Sequence, residues 1–392
     1  MRQQSGDASL LRKLNSAAVL RVLRACGVAT LSELARAARV SRPTAEVIMD
    51  ELLAAGWAEE HLDDQGDGPG DRQGERQGDR RRGRPARRFR FRAAAGHVVG
   101  VGVGVSKLRA MVADLNGGVV AAHMVPNYPA MPAADRLTAI AELVREVAAR
   151  AGLEVPGLRA VGVGTTGVVD GAGGVVKSTM LANWSGVALQ RELAARLAAP
   201  VLVENDMRLA VLAEHWRGRA QGHRDVVYLY TGDRIGMGLL IGGRPHRGAH
   251  AAAGEIGAQP HENWVAFKYV MDYAMAVEPG ELRSGRQSAE FAIERARAGD
   301  ARAVRAVEEF GRGLGAGLLT VVNPLDPELV VIGGSLSSAG DLLVEPIREL
   351  FEQYCLYPPA VVASGLGDEC ITLGALRWAL DHAEHALFAQ PD

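Results

Sequence analysis

Three segments in the first sixty residues alternate apolar and polar positions with the period of an α-helix. The first, SAAVLRVLRAC, covers residues 16–26. The second, LSELARAARV, follows Thr30, and the third, RPTAEVIMDELLAAG, follows Ser41; Thr and Ser are both common helix N-caps. Pro43 lies in the first turn of the third helix, where its missing N–H is not needed. The predicted core face of the third helix consists of Val47, Ile48, Leu52 and Leu53.

The three helices and the strand that starts at Trp57 predict a winged helix-turn-helix over residues 1–61. In that fold the N-terminal residues of the third helix face the major groove of DNA. We therefore predict base and phosphate contacts from this helix. The candidates are Ser41, Arg42, Thr44 and Glu46. A three-helix protein-interaction module would show the same pattern and remains an alternative.

Residues 62–92 form a separate region between the helices and the rest of the chain. Residues 62–79 are rich in Gly, Gln and Asp without apolar periodicity, which predicts a disordered insertion in the wing. The sequence RRRGRPARRFRFR follows, and its Arg-Gly-Arg-Pro core resembles an AT-hook, which lies in a narrow A·T-rich minor groove. The predicted minor-groove residues are Arg82 and Arg84, and the predicted phosphate contacts are Arg80, Arg81, Arg87 and Arg88. A solvated basic linker is the alternative; Phe89 and Phe91 predict a strand with one buried face.

From His97 onward strand-like and helix-like segments alternate. Two βββαβα-like halves, each opening with a Gly-rich hairpin, predict an α/β fold. Its architecture is two-lobed and actin-like or hexokinase-like (ribonuclease H-like), the plan of an ATPase, with a ligand cleft between the lobes. The first lobe is predicted over residues 93–212, completed by a C-terminal helix at 370–390. The second lobe, with dimerisation helices, is predicted over residues 213–369.

Composition narrows the class of protein without naming a function. The 392 residues are 48% hydrophobic and carry a net charge of −2, so the chain as a whole has no net electrostatic attraction to nucleic acid. No long apolar run and no signal peptide are present in the sequence, which predicts a cytoplasmic protein that does not bind membranes. Cys26, Cys355 and Cys370 form no CxxC pair, so we expect neither disulfides nor a zinc site, and we expect these cysteines to be buried.

The order and spacing of the body motifs resemble the ROK family (repressor, open reading frame, kinase), in its regulator branch with an N-terminal winged helix. The first phosphate motif of the family's kinases, Asp-x-Gly-x-Thr, reads Gly-Val-Gly-Val-Ser from Gly102, so the metal-side acid is missing. The second reads Gly-Asp-Arg-Ile-Gly from Gly232, which puts Asp233 and Arg234 beside the expected phosphates. Phosphoryl transfer depends on neutralising those phosphates, so we expect no use of ATP and no kinase activity.

The resemblance also implies sugar-binding residues. The Glu-Asn-Asp triplet of the family is intact, and in its kinases this Asp takes the proton of a sugar hydroxyl. The implied sugar ligands are Asn183, Asn205, Asp206 and Glu255. Capping of the following helix is an alternative role for Asn205 and Asp206. Ala258 replaces a family His, the family's zinc loop is absent, and His261 has no ligand-spaced partner, so no metal or other cofactor is expected.

The leading hypothesis is a DNA-binding transcriptional regulator, a repressor, that senses a sugar without phosphorylating it. Its expected partners are an A/T-rich palindromic operator, a sugar effector and further copies of the chain, as a homodimer or a dimer of dimers. One alternative is a DNA-binding regulator that senses a phosphorylated sugar, an oligosaccharide or a protein instead of a simple sugar. The other is an active sugar kinase with an accessory head.

Overall fold

The computed structural model describes residues 4–61, 86–258, 264, 266–281 and 283–388. The chain divides into two units. The head unit comprises residues 1–96, 114–118 and 381–392, and the body unit comprises residues 97–113 and 119–380.

The described residues of the head unit before residue 92 form three helices and a three-stranded sheet, and the unit also includes the end of the C-terminal helix from residue 381. The elements before residue 92 are α1 (Gln4–Cys26), β1 (Val28–Thr30), α2 (Leu31–Ala37), α3 (Arg42–Ala54), β2 (Ala58–His61) and β3 (Arg88–Phe91). The strand order is β1-β3-β2, with β3 antiparallel to both neighbours. Thr30 and Ser41 cap α2 and α3 through their side chains, as predicted. The arrangement is a winged helix-turn-helix, and α1 begins earlier than its apolar pattern indicated.

The core of the head unit confirms part of the predicted pattern and corrects part of it. Phe89 and Phe91 are buried on one face of β3, as their alternation predicted. Ile48 is buried, but Val47 is 52% exposed, so its assignment to the core face of α3 was wrong. Val47 lies one position from the buried stripe, at its edge, where a 13-residue helix turns toward solvent. Cys26 is also exposed, contrary to expectation, because it ends α1.

The first half of the body unit is built on a five-stranded sheet in the order β10-β7-β4-β5-β6. Its elements are β4 (His97–Val103), β5 (Lys107–Asp114), β6 (Val119–Pro126), α4 (Ala133–Arg150), β7 (Ala160–Thr165), β8 (Val168–Val169), β9 (Val175–Lys177), α5 (Leu189–Leu197), β10 (Val201–Asn205) and α6 (Asp206–Arg217). Strand β7 is parallel to β4 and to β10. Both β4 and β7 are valine- and glycine-rich and almost fully buried, as parallel strands covered on both faces are.

The second half repeats this plan with the sheet order β13-β12-β11-β14-β15. Its elements are β11 (Val226–Thr231), β12 (Ile235–Ile241), β13 (Arg244–Pro245), α7 (Phe267–Val277), α8 (Gly285–Arg297), α9 (Ala301–Leu325), β14 (Leu329–Gly333), α10 (Asp341–Tyr354), β15 (Ala360–Ala363) and α11 (Cys370–Phe388). In each half a hairpin precedes parallel strands joined through helices, which is the predicted two-lobed fold.

Helix α11 packs directly on the backbone of β4. A Cβ atom placed on Gly100 would lie 2.5 Å from the backbone nitrogen of Leu376 and from the carbonyl oxygen of Thr372. Only glycine permits this approach without displacing the helix. The first strand of the body and its last described helix therefore form one packed layer.

Candidate functional site

A cleft in the body unit brings the two glycine-rich turns together with the N-terminus of α6. The cleft contains a cavity of about 80 Å³. Its lining includes Gly102, Gly104, Ser106, Lys107, Arg109, Thr166, Asp206, Asp233, Arg234, Arg286, Ser335 and Thr372. Segments that are far apart in the sequence thus converge on one site.

The first glycine-rich turn has no room for an acid in its present packing. A Cβ atom on Gly102 would lie 2.7 Å from Oγ1 of Thr372, the same helix α11 residue that packs against Gly100. A carboxylate side chain at Gly102 therefore requires Thr372 to move. The strand and its turn are retained, and the side chain of Thr372 packs against the position that the resemblance assigns to the metal-side acid.

Asn205 and Asp206 both contribute to the N-terminus of α6. The side-chain oxygen of Asn205 accepts hydrogen bonds from the backbone N–H groups of Met207 and Arg208, at 2.9 and 3.1 Å. Its amide donates to the carbonyl oxygen of Gly167 at 2.9 Å. Asp206 also accepts from the N–H of Met207. The capping role considered from the sequence is thus present, and it fixes both side chains at the edge of the cleft.

Arg234 enters the cleft from the β11–β12 turn and forms an ion pair with the carboxylate of Asp206. The side chains are 20% and 5% exposed, so the contact is mostly shielded from water. Burial acts to lower the pKa of Arg234, but the charge and hydrogen bond of Asp206 outweigh it and raise the pKa above its ordinary value. The guanidinium also lies 5.7 Å from the ring centre of Tyr230. Arg234 therefore occupies part of the space next to Asp206.

Three further ion pairs surround the same cavity, and sequence analysis did not identify their cations. Arg286 of α8 lies with its Nε atom 2.6 Å from Asp233. The other two pairs join Lys107 to Asp368 and Arg109 to Glu369. Each cation of the cleft lining thus has a carboxylate partner. No short-range sequence signal links these residues, because each pair joins distant elements.

Glu255 lies near Asp206 and Arg234, in surroundings that disfavour its ionised form. Burial of its carboxyl group and the negative charge of Asp206 raise its pKa, while Arg234 and Arg208 act to lower it. The residue as a whole keeps an exposed surface. Asp206 and Glu255 are therefore two interacting acids, each within reach of arginine charge.

A buried cluster beneath α6 was also missed from the sequence. Glu204 accepts a hydrogen bond from Nε of Arg208 at 2.7 Å and pairs with Arg247 through its other oxygen. Arg208 also donates to the carbonyl oxygen of Ala251 at 3.0 Å. The i,i+4 spacing of Glu204 and Arg208 was a signal available in the sequence. The cluster joins the start of α6 to the segment that leads to Glu255.

Asn183, the remaining implied sugar ligand, is exposed and lies outside the cavity lining described above. Its backbone adopts a left-handed conformation with φ of 54°. The neighbouring Trp184 is fully buried, and its Nε1 donates to Oγ1 of Thr165, the last residue of β7, at 2.9 Å. The structure therefore anchors the loop next to Asn183 at the end of β7.

The predicted DNA contacts on α3 lie at its N-terminus. The hydroxyl of Ser41 accepts from the backbone N–H of Thr44 at 3.2 Å and lies 2.7 Å from the Thr44 hydroxyl. Ser41 and Arg42 are exposed, and Thr44 is half-buried. Glu46 and the apolar Val47 are exposed farther along the same helix. The hydroxyls of Ser41 and Thr44 bond to each other at the cap. The side chains of Arg42, Glu46 and Val47 are accessible, and they differ in chemistry.

Arg87, a predicted phosphate contact, forms an exposed ion pair with Glu60 of β2 and lies 5.2 Å from the ring centre of Phe89. Arg90 of β3 pairs similarly with Glu59. The predicted contacts Arg80, Arg81, Arg82 and Arg84 lie outside the described residues, as does His261.

No cluster of three His, Cys, Asp or Glu side chains suited to a metal ion occurs among the described residues. None of the described helices is both long and apolar enough to cross a membrane.

Known proteins match the chain in two patterns. The sequence profile of the ROK family matches residues 98–267 and 273–382. A glucokinase from Streptomyces coelicolor is 30% identical over 315 residues, which cover 71% of this chain and 96% of the glucokinase. A xylose repressor from Caldicellulosiruptor bescii is 22% identical over 402 residues, which cover 96% of this chain and 97% of the repressor.

Solved structures show the same two patterns. A ROK family glucokinase from Streptomyces griseus, in complex with glucose and AMPPNP, covers 73% of this chain at 27% identity with a TM-score of 0.63. A ROK family transcriptional regulator, described as a homologue of the E. coli MLC protein, covers 97% at 21% identity with a TM-score of 0.73. The two glucokinases cover 71% and 73% of the chain, whereas the Caldicellulosiruptor repressor and the MLC homologue cover 96% and 97% of it.

Proposed function

Because the chain belongs to the ROK family, we propose that it is a DNA-binding transcriptional regulator, a repressor, whose body binds a sugar without phosphorylating it. The observation that carries the proposal is the combination of a winged helix-turn-helix head with a ROK body whose cleft contains the Arg234–Asp206 ion pair. The xylose repressor supports the regulator part of the proposal, since its match extends over the head. The glucokinase, which matches 71% of the chain, supports a sugar-binding body but not the absence of phosphorylation.

The cleft supports sugar binding better than phosphoryl transfer. Kinase chemistry requires a nucleotide whose phosphates are positioned and neutralised by cations, commonly Mg²⁺. Here Gly102 carries no acid, Asp233 adds negative charge to the second turn, and Arg234 is engaged with Asp206. The side chains of Asn205 and Asp206, which cap α6, and the side chain of Glu255 carry oxygens that can accept hydrogen bonds from sugar hydroxyls. The amide of Asn205 can also donate one. Asn183 extends this set from the neighbouring loop.

The head unit supports DNA binding through α3 and the basic segment. Exposed Arg42 suits a phosphate or base contact in the major groove. Arg82 and Arg84 suit the minor groove of A/T-rich DNA, with Arg80, Arg81 and Arg87 on phosphates. A homodimer, or a dimer of such dimers, would match a palindromic operator, and sugar binding would shift the population of its DNA-binding state.

Genome-wide footprinting of the full-length protein tests the DNA-binding part of the proposal. We expect a small set of A/T-rich palindromes upstream of sugar-utilisation genes. Thermal shift with a panel of pentoses and hexoses tests the sensing part, because a ligand that binds the folded state raises the melting temperature. Absence of any footprint would overturn the regulator assignment, and absence of stabilisation by every sugar would overturn sugar sensing alone.

A further inference from the structure

Arg136 is a buried cation without a buried anion. It lies in the first turn of α4 and is 0% exposed. No ion pair among the described residues involves it, and burial lowers its pKa. A positive charge at a helix N-terminus is also unfavourable, because that end carries the positive pole of the helix dipole. Placing the guanidinium here therefore costs stability that its other contacts must offset.

Those contacts begin with the segment between β6 and α4. Nη2 of Arg136 donates to the carbonyl oxygens of Tyr128 and Pro129, at 3.1 and 3.3 Å, and Nε donates to Oδ1 of Asn127 at 3.3 Å. Asn127, itself 5% exposed, donates through its amide to the carbonyl oxygen of Gly104 at 2.6 Å. The backbone N–H of Asn127 also donates to the carbonyl oxygen of Ser106 at 3.0 Å. Arg136 thus holds the segment that clamps the first glycine-rich turn.

The opposite side of Arg136 faces the loop that carries Asn183. The guanidinium lies 5.0 Å from the ring centre of Trp184, a cation–π distance. The backbone N–H of Ala182 donates to the carbonyl oxygen of Pro129, at 2.9 Å, and the same oxygen accepts from Arg136. Asn183 lies between these two anchored residues in the left-handed region, which asparagine adopts more readily than most residues.

We propose that Arg136 is a positioning residue that fixes the loop carrying Asn183 against the first glycine-rich turn of the cleft. Trp184 connects this loop to strand β7 through its hydrogen bond to Thr165. Thr165 is paired in the sheet with Val103 of β4 and with Asn205 of β10. One guanidinium therefore joins three segments that must keep their spacing if a ligand is to contact them together. The role of Asn183 as a sugar ligand rests on the proposed function; the coupling of the segments does not.

Hydrogen–deuterium exchange of the full-length protein tests this coupling without a ligand. In Arg136→Met we expect amides of residues 127–131 and 181–185 to exchange roughly tenfold faster or more, because local opening becomes easier. The matched control is Arg145→Met, since Arg145 lies on the same helix, is exposed and donates to the carbonyl oxygen of Arg196 at 2.7 Å. The control should leave both segments unchanged.

Unchanged exchange at residues 181–185 in Arg136→Met would overturn the proposal, as would an equal acceleration throughout the body unit, which indicates only general destabilisation. If Arg136→Met does not fold, Arg136→Lys carries the same test, because lysine keeps the charge but cannot bridge all of the acceptors. We then expect faster exchange in residues 104–106 and 181–185, with the C-terminal half of α4 unaffected.

Calorimetric titration with D-glucose and D-xylose adds a functional readout. For whichever sugar binds the wild type, Arg136→Met should weaken affinity by about tenfold or more, and Arg136→Lys by less. Equal affinities in wild type and Arg136→Met would contradict the positioning role. If neither sugar binds the wild type, the protein does not sense these two sugars. The proposed coupling of the segments is then tested by the exchange experiment alone.

Discussion

The guanidinium of Arg234 is paired with the carboxylate of Asp206, the residue for which the resemblance to ROK kinases implies the role of sugar-activating acid. The pair connects the second glycine-rich turn to the N-terminus of α6. Both residues line the cavity, so the pair places a positive charge next to Asp206 at this site. The same two residues therefore determine both the stability of the cleft and its chemistry.

Breaking this pair should be costly and non-additive. Arg234→Met leaves Asp206 shielded from water without its cation, which is strongly destabilising. We expect a coupling energy of about 1–3 kcal/mol between Arg234→Met and Asp206→Asn in urea unfolding of the single and double variants. Arg286→Met is the matched control, since Arg286 and Asp233 are about one-third exposed and their pair should contribute about 0–1 kcal/mol. If the changes in unfolding free energy of Arg234→Met and Asp206→Asn are strictly additive in the double variant, the ion pair contributes nothing to stability.

The protein should not release ADP from ATP in the presence of hexoses. Loss of a single charge-stabilising group costs roughly 10²–10³ in rate, and both phosphate turns are altered here. A coupled ADP-release assay over a hexose panel measures this, with an active ROK glucokinase as the positive control. Gly102→Asp alone should not restore turnover, because the new side chain meets Thr372. Sugar-dependent turnover by the wild type would make the chain a kinase with an accessory head.

Glu255 predicts a pH dependence of stability. Its pKa in the folded protein is raised above the ordinary 4.5, so the folded state favours the protonated acid. The associated stabilisation is complete below pH 4.5 and is lost as the pH rises through the folded-state pKa. Glu255→Gln, which stays neutral, should therefore raise the melting temperature relative to wild type at pH 8 and less so near pH 5. A difference that is constant across this range would contradict the raised pKa.

Val47 should contribute to operator recognition. It is 52% exposed on α3, and an apolar side chain in the major groove can contact the methyl group of thymine. Replacing thymine by deoxyuridine in a footprinted operator removes only that methyl group. At one operator position the replacement should weaken binding of the wild type but not of Val47→Ala, as measured by gel shift. Arg42→Ala is the comparison variant. We expect it to reduce the salt dependence of operator binding and to leave the effect of deoxyuridine unchanged. Equal sensitivity of wild type and Val47→Ala at every position would exclude the contact.

Features set by neighbouring residues could be predicted from the sequence. Ser41 caps α3 and Phe89 is buried on β3 because cap chemistry and strand alternation act within a few residues. The side of α3 that Val47 occupies could not be predicted, since an apolar residue at the edge of a helical stripe fits both environments. The pairing of Arg234 with Asp206 could not be predicted from the sequence either, because only the folded structure brings the β11–β12 turn to the start of α6.

The contact between Gly100 and α11 has a consequence for the order in which the chain folds during synthesis. The head unit's helices and β2 are made first, and β4 emerges from the ribosome soon after. The surface that covers β4, around Thr372 and Leu376, is translated only after all the other described strands and helices of the body unit. Nascent chains that lack α11 therefore carry an uncovered, valine-rich sheet, the kind of surface that chaperones bind and that aggregates when translation stalls.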